Sequence, residues 1–293
     1  MVVAAEIPAD RLLAEMAARL RAADVPGPEV DAELILAHVL GESRGRVQSL
    51  AVLRGRVGAS AAEAARSLTS ERAQRIPLQH LTGRAPFRTI ELAVGPGVFT
   101  PRPETETVAQ LAIDALRESE SETPVAVDLC TGSGAIALAI AAEVPRTRVW
   151  AIEKSREAHA WAERNVAALG EDRVTLLQGD VADAVALLEP IVGAVDVLVS
   201  NPPYVPVDMV PRDPEVRDHD PALALYGGAD GLDVVRVIAR AGLALVKPGG
   251  RIVLEHAEEQ GEAIRAILGA LGWSDPATHQ DLTERDRTTT AVR

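Results

Sequence analysis

Apolar residues in the first eighty positions recur at a helical period. Leu12, Leu13, Met16, Ala17 and Leu20 fall at i, i+1, i+4, i+5 and i+8, which places them on one helix face. Pro26, Gly27 and Pro28 break that run, and VDAELILAHVLG predicts a second helix closing at Gly41. SAAEAARSLTSERAQR predicts a third, with Ser60 as its N-cap and Glu63 as the capping-box partner. A small helical bundle over residues 1–84 is the expectation. Residues 85–100, APFRTIELAVGPGVFT, change character: partial alternation and a Gly-Pro-Gly turn predict a hairpin or extended connector.

From Thr123 onward, strand patterns alternate with helix patterns. VAVDLC, RVWAIE, RVTLLQGD, VDVLVS, RIVLEHA and a last stretch through RTTTAVR read as strands. GAIALAIAAEV, SREAHAWAERNVAALG, VADAVALLE, LDVVRVIARAGLALV and GEAIRAILGALG read as the helices between them. Parallel strands require crossovers, so this order predicts an α/β domain over residues 101–293 with a mostly parallel sheet covered on both faces. Ligands of such sheets sit at the carboxyl ends of the strands, where strand order reverses.

Composition narrows the class. Hydrophobic residues make up 47% and charged residues 25%, and no apolar run reaches the roughly 18–20 residues of a membrane span. The stretch MVVAAEIPADRLLAEM shows no basic segment followed by an apolar core, so a cytoplasmic protein is expected. The single cysteine, Cys130, has no second thiolate nearby, and the six histidines lack metal-ligand spacing, so no metal centre is expected. The net charge of −13 is uneven. Residues 1–84 hold 11 Arg against 10 acidic residues, while residues 85–293 hold 19 basic against 33 acidic. Arg44 to Arg84 is locally basic, either a face for an anionic partner or an ordinary solvated surface.

Two stretches carry candidate chemistry. In VDLCTGSGAIALA, Gly132 and Gly134 lack Cβ, so a ligand can approach the backbone and the N–H groups of the following helix. Glu153 ends the next strand, suited to ribose hydroxyls, and Asp180 with Val181 follows the third, suited to adenine. These residues describe an adenosine pocket, but Gly132 to Ala137 also fits the dinucleotide fingerprint, so NAD and S-adenosylmethionine both remain open at this point. The second stretch is Asn201-Pro202-Pro203-Tyr204, at the end of VDVLVS. Proline stiffens the loop, and the Asn201 side-chain oxygen with the Pro202 carbonyl supplies two acceptors for one planar NH2 group. Holding both N–H bonds aims a weakly nucleophilic amide or aromatic amine at a methyl donor, with Tyr204 and Phe99 as candidate packing rings.

Together with PLQHLTG at 77–83, GVFTPRPETE at 97–106, DPALALYGGADGLDVVRVIA at 220–239, LVKPGGRIVLEHAEEQGEAI at 245–264 and DLTERDRTTTAVR at 281–293, these motifs resemble the release-factor glutamine N5-methyltransferases, the PrmC or HemK family. The resemblance covers residues 75–293 by motif. It implies a seven-stranded, Rossmann-like class I methyltransferase domain behind a small helical substrate-recognition domain. It also implies S-adenosylmethionine as methyl donor, S-adenosylhomocysteine as product, and as partner the Gly-Gly-Gln glutamine of class 1 peptide-chain release factors. Carried over by motif, Cys130, Thr131, Gly132, Ser133 and Gly134 form the cofactor loop, with Glu153 at ribose, Asp180 and Val181 at adenine, and Asn201 near the donor. Asn201, Pro202, Pro203 and Tyr204 hold the glutamine, with Asn201, Pro202 and Tyr204 as the catalytic set and Phe99, Arg102, Pro103 and Glu104 as the adjoining wall. Cys130 departs from the family, which has glycine there. His256 reads as structural, and Asp218-His219-Asp220 as a turn or substrate lid. A monomer without direct nucleic-acid binding is expected. The rival readings are a ribosomal-protein glutamine methyltransferase, an adenine-N6 methyltransferase, which the acidic second part disfavours, and a non-catalytic nucleotide-binding module.

Overall fold

A computed structural model describes residues 6–170 and 172–293. The first five residues, part of the stretch read above for targeting signals, and Glu171 lie outside the described residues. The chain divides into two compact units, one running to Gly83 with Arg212–His219 added, the other comprising Arg84–Pro211 and Asp220–Arg293.

The first unit contains β1 (Ile7–Pro8), α1 (Ala9–Ala22), α2 (Pro28–Leu40), α3 (Arg44–Val52), β2 (Arg56–Val57), α4 (Ala59–Arg72) and α5 (Leu78–Thr82). The predicted stripe is its core: Leu12, Met16 and Leu20 are buried with Ile35, Leu36 and Val47. Gly41 closes α2 at φ +66, a left-handed turn that glycine adopts without a Cβ clash. Ser60 is not an N-cap. The cap position is Gly58, two residues earlier, because the chain enters α4 directly out of the β1–β2 pair. The basic run is largely neutralised from within. Arg44 pairs with Glu33 at 2.6 Å, Arg56 with Glu6 at 3.1 Å and Arg66 with Glu15 at 2.7 Å.

The second unit opens with the hairpin β3 (Arg84–Phe87) and β4 (Ile90–Ala93). Its reversal falls at Arg88-Thr89 and not at Gly95-Pro96-Gly97. Arg88 holds the turn by binding Glu143 at 2.6 Å and Gln110 at 2.7 Å, while Trp161 fills the space a side chain at Gly95 would need. Then follow α6 (Pro103–Glu118), β5 (Val125–Leu129), α7 (Ala135–Glu143), β6 (Arg148–Glu153), α8 (Arg156–Leu169), β7 (Val174–Gln178), α9 (Ala184–Leu187) and β8 (Val195–Ser200). After α10 (Pro214–His219), which belongs to the first unit, come α11 (Ala222–Leu225), α12 (Asp233–Leu245), β9 (Val246–Glu255), α13 (Gly261–Leu271), β10 (Ser274–Gln280) and β11 (Asp286–Val292).

Seven strands form one sheet in the order β10-β11-β9-β8-β5-β6-β7. The five from β9 to β7 are parallel, with β7 at one edge, and β11 and β10 add antiparallel at the other. Parallel strands are buried on both faces, which explains why all six residues of β8 are buried, even Asp196. The chain moves from β5 to β7 in one direction and through β8 to β9 in the other. The switch point therefore lies between the carboxyl ends of β5 and β8. Among the described residues no helix is long and apolar enough to cross a membrane.

The helix α10 is held in the first unit by a buried ion cluster. Arg72, with a side chain 5% exposed, binds Asp31 and Glu215, each at 2.7 Å, and the Ile76 carbonyl at 3.0 Å. Arg75 adds Glu215 at 3.1 Å and Asp213 at 3.2 Å. Burial raises the pKa of Asp31 despite the opposing pull of Arg72, so desolvation outweighs pairing at that carboxyl. Removing one partner of such a cluster strands the others. Arg72→Met is expected to destabilise the protein by roughly 3 kcal/mol, whereas Arg44→Met, at an exposed pair, costs below about 1 kcal/mol. Thermal unfolding of the two variants checks this, and equal effects would refute it.

Candidate active site

The glycine loop is fixed from below by Asp128. After β5 the backbone turns through left-handed positions at Cys130 (φ +62), Gly132 (φ +59) and Gly134 (φ +86). Asp128 Oδ2 accepts from Thr131 Oγ1 at 2.6 Å and from the Ala137 amide at 3.1 Å, tying both ends of the turn to the strand. The other carboxyl oxygen is buried without a hydrogen-bond partner. Burial pushes this carboxyl up to about 7, against the pull of Thr131 and Ala137. Cys130 holds a glycine-like conformation with a side chain attached, a strain of about 1–2 kcal/mol. Its thiol pKa is raised by burial and by the charges of Glu153 and Asp128, so it is a poor nucleophile at neutral pH.

Glu153, from the end of β6, closes the loop from the side. Its two oxygens accept from the amides of Gly132 at 2.9 Å and Ser155 at 2.7 Å, and each keeps a second lone pair. Burial raises its pKa, opposed by those same amides. A Cβ built at Gly132 would meet nothing within 4 Å, and in the first turn of α7 the Ala137 amide is the one held by Asp128. Next along, Asp180 accepts from the Ala182 amide at 3.0 Å and pairs with Lys154 at 2.7 Å. Lys154 follows Glu153, so this pair joins the ends of β6 and β7. Val181 beside it is buried.

β8 delivers the second half. Ser200 Oγ donates to the Leu129 carbonyl at 2.5 Å, which joins the ends of β5 and β8. The next residue, Asn201, donates from Nδ2 to Thr105 Oγ1 of α6 at 3.2 Å. Pro202 and Pro203 are buried, and the Tyr204 hydroxyl donates to Glu255 Oε1 at 3.4 Å, the long end of hydrogen-bond range. The pKa of Tyr204 is raised by burial and by the Glu255 charge, so it stays a phenol. The Tyr226-Gly227-Gly228 stretch clamps the outgoing chain: Val205 N donates to Leu225 O at 2.8 Å and Gly227 N to Val205 O at 2.9 Å. Side chains at Gly227 and Gly231 would collide with the Pro203 and Tyr204 carbonyls. Gln260 Nε2 donates to Tyr204 O at 2.9 Å.

The wall proposed from PRPETE lies on the same unit. Arg102 precedes α6, with Pro103 at its first position and Glu104 in its first turn. The Arg102 guanidinium sits 5.1 Å from the centre of the Phe99 ring and binds the fully buried Asp220 carboxylate at 2.7 Å. Asp220 thus serves as the anchor of Arg102, while Asp218 pairs with Arg217. His256 is fully buried, with Nδ1 donating to Ala257 O and Nε2 accepting from Thr289 Oγ1, each at 2.8 Å. It is structural. Sequence reasoning missed Asp128, Thr105, Glu255 and Gln260. Asp128 could have been found as a carboxylate inside an apolar strand, but the other three carry no spacing signal.

The chain matches the family model described as the PrmC N-terminal domain over residues 11–83 and that of the methyltransferase small domain over residues 89–210. It is 48% identical over 287 residues to a release factor glutamine methyltransferase of Streptomyces coelicolor, covering 96% of this chain and 97% of that one. The chain belongs to the release factor glutamine methyltransferase family. Relatives from Bifidobacterium longum and Deinococcus radiodurans, each 42% identical, cover 96% of this chain and 98% and 97% of their own. The family therefore extends over the helical unit as well as the sheet.

Asp128 generates a pH prediction. A carboxyl whose folded pKa is lifted from 3.8 to about 7 binds its proton more tightly in the folded state. Its contribution to stability is complete below about pH 4 and is lost as pH rises through about 7. Denaturant unfolding between about pH 5 and about pH 8 should show a smaller decline for Asp128→Asn than for the unaltered chain. An identical decline would contradict the assignment.

Proposed function

We propose that this member of the family transfers the methyl group of S-adenosylmethionine to the side-chain amide nitrogen of a glutamine, that of the Gly-Gly-Gln motif in class 1 peptide-chain release factors. The reading rests on one observation above others: the Asn201 amide is oriented, with its NH2 given to Thr105, so its carbonyl oxygen remains as an acceptor beside the two buried prolines.

The residues present suit the methyl donor. Gly132 borders open space, and the Glu153 carboxylate at the loop's side is an acceptor suited to ribose hydroxyls. Cys130, Thr131, Ser133 and Gly134 complete the loop, and Asp180 with Val181 would meet the adenine. When bound, S-adenosylmethionine supplies a methyl group on a positively charged sulfur, which an aligned nitrogen can accept.

The chain's own residues do the rest by alignment. Asn201 Oδ1 and the Pro202 carbonyl would accept the two N–H bonds of the glutamine amide, enriching its nitrogen and fixing the direction of its lone pair. Pro203 and the clamp around Gly227 keep those acceptors from moving. Tyr204, held as a phenol, packs against the amide as a neutral surface. No strong base is required, since the nitrogen becomes acidic as it is alkylated and gives its proton to water, while these acceptors only hold the N–H bonds. Phe99, Arg102 and Glu104 would form the wall around the incoming loop, and the helical unit would recognise the body of the release factor. The cytoplasm, where termination occurs, is the expected setting.

Asn201→Ala is expected to lower label transfer from S-adenosylmethionine to a purified release factor by about 100- to 1,000-fold. Calorimetric affinity for S-adenosylmethionine should fall by far less than label transfer does. Full activity in the variant would overturn the site. Undiminished labelling of a release factor whose Gly-Gly-Gln glutamine is changed to alanine, or labelling confined to ribosomal protein, would overturn the substrate.

A further inference from the structure

Past its prolines, the Asn-Pro-Pro-Tyr loop has every carbonyl held. Tyr204 O accepts from Gln260 Nε2 at 2.9 Å, Val205 O from the Gly227 amide at 2.9 Å and Pro206 O from the Met209 amide at 3.0 Å. The Tyr204–Val205 peptide unit is gripped at both ends, since its N–H donates to Leu225 O at 2.8 Å. All but one of these partners are backbone groups. The exception is the Gln260 side chain, which no step above uses.

Gln260 stands in the turn between β9 and α13, and its amide can point only one way. Its Oε1 accepts from the Ala257 amide at 3.0 Å, so the NH2 end faces Tyr204 O at 2.9 Å and Asp230 O at 3.3 Å. A backbone N–H only donates and a carbonyl only accepts, so these bonds agree on the orientation. Gly231 makes room for the contact: a Cβ there would collide with the Tyr204 carbonyl and lie 2.8 Å from Gln260 Nε2.

The Tyr204 hydroxyl meets Glu255 at 3.4 Å, too long to fix the ring by itself. The ring and the two acceptors before it are therefore placed through the backbone, from Ser200 on the β5 side and from Gln260 on the β9 side. Pro202 and Pro203 have fixed φ, so a shift of the Tyr204 peptide is carried stiffly back to Asn201. We propose that Gln260 is a positioning residue for methyl transfer: its NH2, by holding the Tyr204 carbonyl, sets where Asn201 Oδ1 and the Pro202 carbonyl meet the glutamine amide. The proposal rests on the reading of that loop as the glutamine site.

Two substitutions separate holding the loop from capping the turn. Gln260→Glu keeps an oxygen for the Ala257 amide and removes the donor to Tyr204, whereas Gln260→Lys does the reverse. With the full chain and a purified release factor, Gln260→Glu should lower kcat by about 10- to 100-fold, the loss expected from misplacing aligned groups. Gln260→Lys, whose ammonium can still donate to the carbonyl, should stay within about fivefold of the unaltered kcat. KM for the release factor should move less than kcat in Gln260→Glu, because this side chain faces Tyr204 and Asp230 and not the substrate. Calorimetric affinity for S-adenosylmethionine should be kept in both variants, which also verifies folding. Unaltered kcat in Gln260→Glu, a larger loss in Gln260→Lys than in Gln260→Glu, or a loss of S-adenosylmethionine affinity that matches the loss of kcat would overturn the proposal. Asn201→Ala assayed alongside separates the two failures: an active Asn201→Ala sinks the site reading itself, whereas an inactive one beside a fully active Gln260→Glu sinks only the positioning role.

Discussion

The hydrogen bond from Ser200 Oγ to the Leu129 carbonyl fastens together the two strand ends on which the site is built. Leu129 begins the glycine loop, and Ser200 is followed directly by Asn201. Parallel pairing of β5 with β8 ends at this same level, with Leu129 opposite Ser200. Two loops that diverge from one point of a rigid sheet need little further ordering to face the same space. Each is then stiffened by its own means. The first relies on buried carboxylates, Asp128 and Glu153, gripping backbone amides; the second relies on proline and on glycine-lined backbone contacts from Gly227 and Gly231.

Carboxylates recur in this scheme because each can organise several donors at once. Asp128 gathers Thr131 and Ala137, Glu153 gathers Gly132 and Ser155, Asp220 anchors Arg102, and Glu255 stands behind Tyr204. Their burial is expensive in solvation, and the raised pKa values of Asp128, Glu153 and Glu255 record that cost. Much of the acidic excess of the chain's second part is surface charge, but these four side chains are internal scaffolding.

How much of this was legible in the sequence depended on punctuation. Glycine and proline mark loops strongly, so the turn at Gly132 and Gly134 and the stop at Pro202 and Pro203 could be located, as could the buried strands leading to them. The sixteen-residue helix α6 went unread, since the eye falls on PRPETE as a motif and not on the apolar period from Val108 to Leu116 behind it. The strand β10 carries Pro276 within a mostly polar stretch, a composition that an edge strand tolerates and that hides it. Thr105 and Glu255 lie 150 residues apart, and only folding brings the first to Asn201 and the second to Tyr204. Ser60 failed as a cap because the preceding strand pair, not the local residue type, decides where α4 begins.

The assignment of α10 to the helical unit gives the chain an unusual dissection. The polypeptide passes from the first unit to the second after Gly83, returns for the eight residues Arg212–His219, and leaves again. A single cut at residue 83 would give one fragment lacking Glu215, the acid that shares Arg72 and Arg75, and another ending up with an orphaned helix in the middle of its sequence. The boundary drawn by sequence position is thus not the boundary drawn by folding. A gene fusion, a truncation or an exchange of helical units between relatives would have to carry two separate pieces of the chain to transplant one folded body.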